Sequence, residues 1–168
     1  MRKPATKRKG RSGLSKENLL PMSIERVRAL SLEHHLALAT VCAGRGDADQ
    51  VIHLYRTVYL AFLLREETAS GVDIDLYRKA EVALDACFER GERGERWLLL
   101  DRERSAVERV LVVHDSQLAA VRKHRYLSAW ETLQRFVVGA GRSPIPLEKK
   151  RLDASEQLND TIAELVNR

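Results

Sequence analysis

The chain has 168 residues, 44% of them hydrophobic and 32% charged, with a formal net charge of +5; this suits one folded domain and excludes a hydrophobic-poor disordered chain. Cys42 and Cys87 are too few for a disulfide framework, and the longest uncharged apolar run, Thr57 to Leu64, is too short to span a bilayer. No charged start followed by an apolar run and a cleavage site opens the chain, so the expectation is a cytoplasmic protein with reduced thiols and no membrane partner.

Residues 1–20 read as a basic tail. The run MRKPATKRKGRSGLSK holds seven of the 29 Lys and Arg and no acid, which leaves 22 bases against 24 acids in the rest of the chain. The remainder is therefore nearly neutral, and the positive charge belongs to one end. With Pro4, Gly10 and Gly13 and no apolar periodicity, the tail is expected to be disordered when free. Arg2, Lys3, Lys7, Arg8, Lys9 and Arg11 are its candidate nucleic-acid contacts, because such cations neutralise phosphates and release counterions. The tail has no aromatic residue for base stacking, so it offers affinity with little sequence choice. The same composition also fits a solubilising terminus that binds nothing.

Residues 21–138 read as a helical domain. A first helix starts near Pro21, a residue suited to a first turn, and carries Ile24, Val27, Leu30, Leu38 and Val41 before stopping at Gly44–Arg45–Gly46. Asp47 with Gln50 forms a capping-box pattern for a second helix running to about Glu67, whose TVYLAFLL segment is apolar on nearly every side. Thr68 to Val72 make a turn, and Asp73 caps a third helix that Gly91 and Gly94 end. A fourth starts near Trp97 or Asp101 and continues through Val107, Val110, Leu111, Leu118 and Val121, with Arg122, Lys123, His124 and Arg125 at its end, where cations suit the helix dipole. Ser128 and Glu131 are spaced as a capping box for a fifth helix carrying Trp130, Leu133, Phe136 and Val137. Residues 139–146, GAGRSPIP, read as a linker, and residues 147–168 as a C-terminal helix with a sparse stripe of Leu158, Ile162 and Leu165. No run alternates as a strand would. The fold expected is all-α: a compact bundle of about five helices with a basic tail and a loosely attached C-terminal helix.

Little in the chain looks like chemistry. His114 lies within the apolar stripe of the fourth helix and His34 within that of the first, which makes both candidate core histidines. A metal would need them joined by Asp115 or His53, yet no Glu-x-x-His pair and no Cys-x-x-Cys pair exists. No metal and no cofactor is therefore expected. His124 points off the stripe and is expected to face solvent. Cys42 and Cys87 lie on apolar faces as inert packing, and no nucleophile elbow or Gly-rich phosphate loop occurs, so no enzyme is expected. The best helix–turn–helix candidate, LALATVCAGRGDADQVIHLY, puts a mostly apolar helix where a reading helix needs a polar face.

The runs SLEHHLALATVCAGRGD, TVYLAFLLRE and VHDSQLAAVRKHRYLSAWETLQRF resemble small β-proteobacterial proteins labelled Fis-family transcriptional regulators, over roughly residues 24–137. The resemblance implies a DNA-binding bacterial regulator. Fis-type domains end in a basic helix–turn–helix, whereas the final segment here has Glu148, Asp153, Glu156, Asp160 and Glu164, so no DNA-contacting residue carries over. The leading expectation is a non-enzymatic regulatory or accessory protein whose tail contacts nucleic acid. The alternatives are a protein-interaction module, self-associating through a face near Trp97–Leu100 or Trp130, and a metal- or ligand-binding bundle centred on His34 and His114.

Overall fold

In the computed structural model the described residues are 16–138 and 143–146. The expected tail contacts Arg2, Lys3, Lys7, Arg8, Lys9 and Arg11, and the expected C-terminal helix, lie outside them. Among the described residues there are five α-helices and no strands: α1 (Ile24–Cys42), α2 (Ala48–Leu63), α3 (Ile74–Glu92), α4 (Asp101–Ala120) and α5 (Lys123–Val138). None of these helices is long and apolar enough to cross a membrane.

Helix starts follow the side chains able to accept a backbone proton. The Ser23 hydroxyl accepts from Arg26 N, so α1 begins beyond Pro21, which offers no such acceptor. Pro21 forms an isolated antiparallel bridge with Arg122 instead. The Asp47–Gln50 capping box is present, with Asp47 Oδ1 accepting from Gln50 N at 3.4 Å and Gln50 Oε1 accepting from Asp47 N at 2.9 Å. Asp73 caps α3 through Asp75 N, and at the other end of the hairpin Leu100 N donates to the Glu103 carboxylate, so α4 starts at Asp101 rather than Trp97.

Helix ends depart further from the sequence reading. α2 stops at Leu63, short of Glu67, and the chain continues through two short 3-10 turns, Arg65–Glu67 and Ala69–Gly71. The Tyr77 hydroxyl donates to Gly71 O at 2.8 Å, and this buried bond draws the turn onto α3. Gly44, at φ 64°, carries the left-handed residue after α1. Gly91 serves by lacking a side chain: a Cβ there would lie 2.3 Å from the Trp97 ring, which stacks edge-on to Phe88.

The α4–α5 junction requires a correction. α4 ends at Ala120, Val121 is extended, and α5 begins at Lys123. Arg122 to Arg125 therefore open a helix rather than close one, at the end of the dipole that disfavours cations. Ser128 and Glu131 lie inside α5 rather than capping it.

In the bundle α1 packs on α2 and α4, and α3 packs on the same two helices. α2 is the most enclosed, with Val51, Leu54, Val58 and Ala61 wholly buried. α5 lies against the far end of α2, where Leu133, Ala129 and Val121 meet Leu60 and Leu64 in a second apolar cluster. The stretch read as a linker contributes to the core as well. Ile145 is 3% exposed, and Arg78 Nε donates to Pro146 O at 2.9 Å.

Candidate functional site

Two places concentrate titratable groups, and they differ in solvent. The first is the α4–α5 corner. Residues Lys16–Leu19, inside the stretch read as tail, form a 3-10 turn that docks on the start of α5. Lys123 N donates to Leu20 O at 2.9 Å, the Lys123 ammonium meets Glu17 Oε1 at 3.1 Å, and His124 Nδ1 lies 3.1 Å from Asn18 O. His124 is thus half-buried, where a solvent-facing residue was expected, because the returning N-terminal segment covers it. Arg125 pairs with Glu67 at 2.9 Å. These acceptors offset the cations at the positive end of α5.

Not every cation there has a partner. Lys16 and Arg122 are exposed and make no ion pair among the described residues, and the same holds for Arg26 and Arg28 on α1. Arg26 lies close enough to Tyr126 to oppose the upward push that burial gives its hydroxyl. The chain before Lys16, which carries the other six tail cations, joins the protein at this corner. The sequence alone places Arg122, Lys123, His124 and Arg125 at a helix end. The signal available was only their number, since nothing local tells a helix end from a helix start when both lie within a few residues.

The second place is interior. His34 on α1, His53 on α2 and His114 on α4 stack in a row, with ring centroids 5.4 Å apart for His34–His53 and 5.3 Å for His34–His114. His34 and His114 are buried, as their place in the apolar stripes implied. Sequence reading had offered His53 only as a third ligand; the structure makes it a neighbour of His34, and its ring is partly exposed. Burial, helped by the neighbouring imidazoles, holds His34 down at about 3, and burial likewise lowers His114. Both are neutral at neutral pH.

The tautomer of His114 follows from its partners. The Tyr77 hydroxyl gives its proton to Gly71 O, so it accepts from Gln117 Nε2, which also donates to Ala61 O at 3.1 Å. Gln117 Oε1 must then accept, and His114 Nδ1 donates to it at 3.0 Å. His114 Nε2 is left as a bare lone pair, and it, His34 Nδ1 and His53 Nε2 are buried without a hydrogen-bond partner among the described residues. Asp115 turns away from this row and binds His35 Nε2 at 2.9 Å on the surface between α1 and α4.

Chemically the row is a poor ligand set. Among the described residues no group of three or more His, Cys, Asp or Glu is placed to hold a metal ion. Burial raises the Cys42 and Cys87 thiols, which weakens them as nucleophiles at neutral pH. His34 and His114 can accept protons only at a cost to folding; the corner offers cations to solvent at no such cost. No protein-family model, no curated protein and no solved structure matches the chain.

Proposed function

We propose that the protein is a non-enzymatic bacterial regulatory or accessory protein that contacts the phosphates of nucleic acid through its basic N-terminal arm. Arg2, Lys3, Lys7, Arg8, Lys9 and Arg11 supply the contacts, and the α4–α5 corner supplies a second, fixed set of cations at the arm's root. One observation carries the reading: the residues that continue the arm are bonded to a corner where Lys16 and Arg122 stand exposed without acid partners among the described residues. A cationic arm that leaves from a cationic surface presents phosphates with one continuous target. The resemblance to proteins labelled Fis-family regulators supports a regulatory role for such binding, without supplying a recognition helix.

The test is fluorescence anisotropy of a random-sequence DNA duplex across a salt series. If the seven cations of residues 1–16 all engage, log K falls against log[salt] with a slope of about −6. Deleting residues 1–15 is expected to remove most of the affinity; binding that survives the deletion with its slope intact would overturn the reading.

A second reading, self-association, rests on the outer face of α5. Trp130 is 38% exposed, and Leu127 at 40% and Val137 at 50% lie on the same side of the helix, an apolar edge on the last described helix. By contrast Trp97 is held against Phe88 and Gly91, so that expected face narrows to Leu100. A monomeric mass by light scattering at high concentration would remove this second reading.

A further inference from the structure

We infer that the groove between α3 and α4 on the outer face of the bundle is the docking site of the chain's own C-terminal segment, residues 147–168. The groove encloses about 840 Å³, and its floor is Leu76, Val82, Ala83, Ala86 and Ala106. Val82 is 60% exposed there. Alanines on both helices leave the floor shallow in side chain, so a third helix can approach closely with its larger apolar residues pointing in. The groove continues past Arg109 to Val112 and Val113 in a neighbouring depression that shares Asp73, Leu76 and Ser105 with it.

The chain itself leads into this groove. Ile145 is already seated in the core at 3% exposure, and Ile145 and Pro146 form part of the groove wall. Arg78, on the α3 side, fixes the Pro146 carbonyl at 2.9 Å. The described chain therefore stops at the site rather than at a distance from it, and 22 residues follow. As a helix they would span about 33 Å, whereas the groove along α4 from Asp101 to Val113 is about 18 Å long. The apolar stripe of Leu158, Ile162 and Leu165 covers about 10 Å of such a helix and fits inside that length. Asp153, Glu156, Asp160 and Glu164 fall on the opposite side at 100° per residue, which leaves them in water. A second copy of the chain would have to displace a segment already tethered beside the groove, at an effective concentration on the order of millimolar.

Directed disulfide formation in the full-length chain tests the assignment. In a Cys42→Ser background, Val82→Cys is combined in turn with Leu158→Cys, Ile162→Cys or Asp160→Cys and oxidised mildly. At least one stripe position is expected to form a disulfide within a single chain about tenfold faster than the Asp160→Cys control. Equal rates at all three positions overturn the proposal, and disulfides that join two chains assign the groove to a second copy instead. Hydrogen exchange on the unsubstituted chain supplies a readout that no variant can spoil: amides of residues 158–165 are expected to be protected about tenfold or more over random-coil rates. Exchange at random-coil rates across that stretch overturns the docking as well.

Discussion

The interior histidine row and the α4–α5 corner are built from similar residues and behave oppositely. Each gathers several groups able to carry positive charge, on helices that meet from different parts of the chain. In the row, His34 and His114 are shut away from water, and burial leaves them neutral with ring nitrogens unsatisfied. At the corner, Arg122 faces solvent while Lys123 and Arg125 meet carboxylates supplied by Glu17 and Glu67, so charge persists. The contrast teaches that the placement of water and counter-charge, rather than residue type, separates a neutral interior cluster from a charged surface here.

The sharpest way to break the comparison is to disturb the interior network. Gln117→Leu strips the His114 Nδ1 proton of its acceptor and Ala61 O and the Tyr77 hydroxyl of their donor. Each buried orphan costs about 1–3 kcal/mol, so a loss of about 3 kcal/mol or more is expected in urea unfolding, seen as a lower midpoint. A loss under about 1 kcal/mol would show the network to be dispensable.

Acid comes next. An unfolded chain protonates His34 near its ordinary value of 6.5, while the folded chain resists until about 3. The unfolded state therefore binds more protons throughout that window, and stability falls as pH drops through it. The expected slope is about 1.4 kcal/mol per pH unit for such a histidine, and His114 adds to it with the same sign. Thermal melts from pH 7 to pH 4 measure it, and His34→Leu is expected to flatten the acid limb by about one proton's worth. An unchanged limb in that variant would mean that other groups titrate.

Smaller effects belong to the corner. Arg122→Glu is expected to leave unfolding within about 0.5 kcal/mol of the parent, since the side chain is exposed. It should nonetheless weaken duplex binding and reduce the salt slope by about 1. The smallest change is Glu17→Gln, which removes an exposed partner of Lys123 and costs about 0.2–1 kcal/mol by chemical denaturation. A row indifferent to pH, or a corner indifferent to charge reversal, would erase the distinction between them.

Much of the bundle was legible because its signals are local. The Asp47–Gln50 box, the Asp73 cap and the enclosed α2 segment each follow from residues within a few positions of one another. The burial of His34 and His114 followed from helical periodicity alone. What escaped depends on partners far along the chain. His124 looked exposed on its own helix face, and Asn18, 106 positions away, covers it. α2 was expected to run to Glu67, but Tyr77 and Gln117 gather its last turns from two other helices. Arg122 to Arg125 read as a helix end because three cations and a histidine suit that place, and the extended Val121 that ends α4 carries no local mark.

The bond between Leu20 and Lys123 also orders events in time. During synthesis the segment around residues 16–20 is made before its seat at the start of α5, which follows about a hundred residues later. The first turn of α5 meets that segment again where the Glu17 carboxylate reaches Lys123 and the Asn18 carbonyl reaches His124. Closing so long a loop comes late in folding. The seat of residues 16–20 can therefore form only after the four helices between them and α5 have been made.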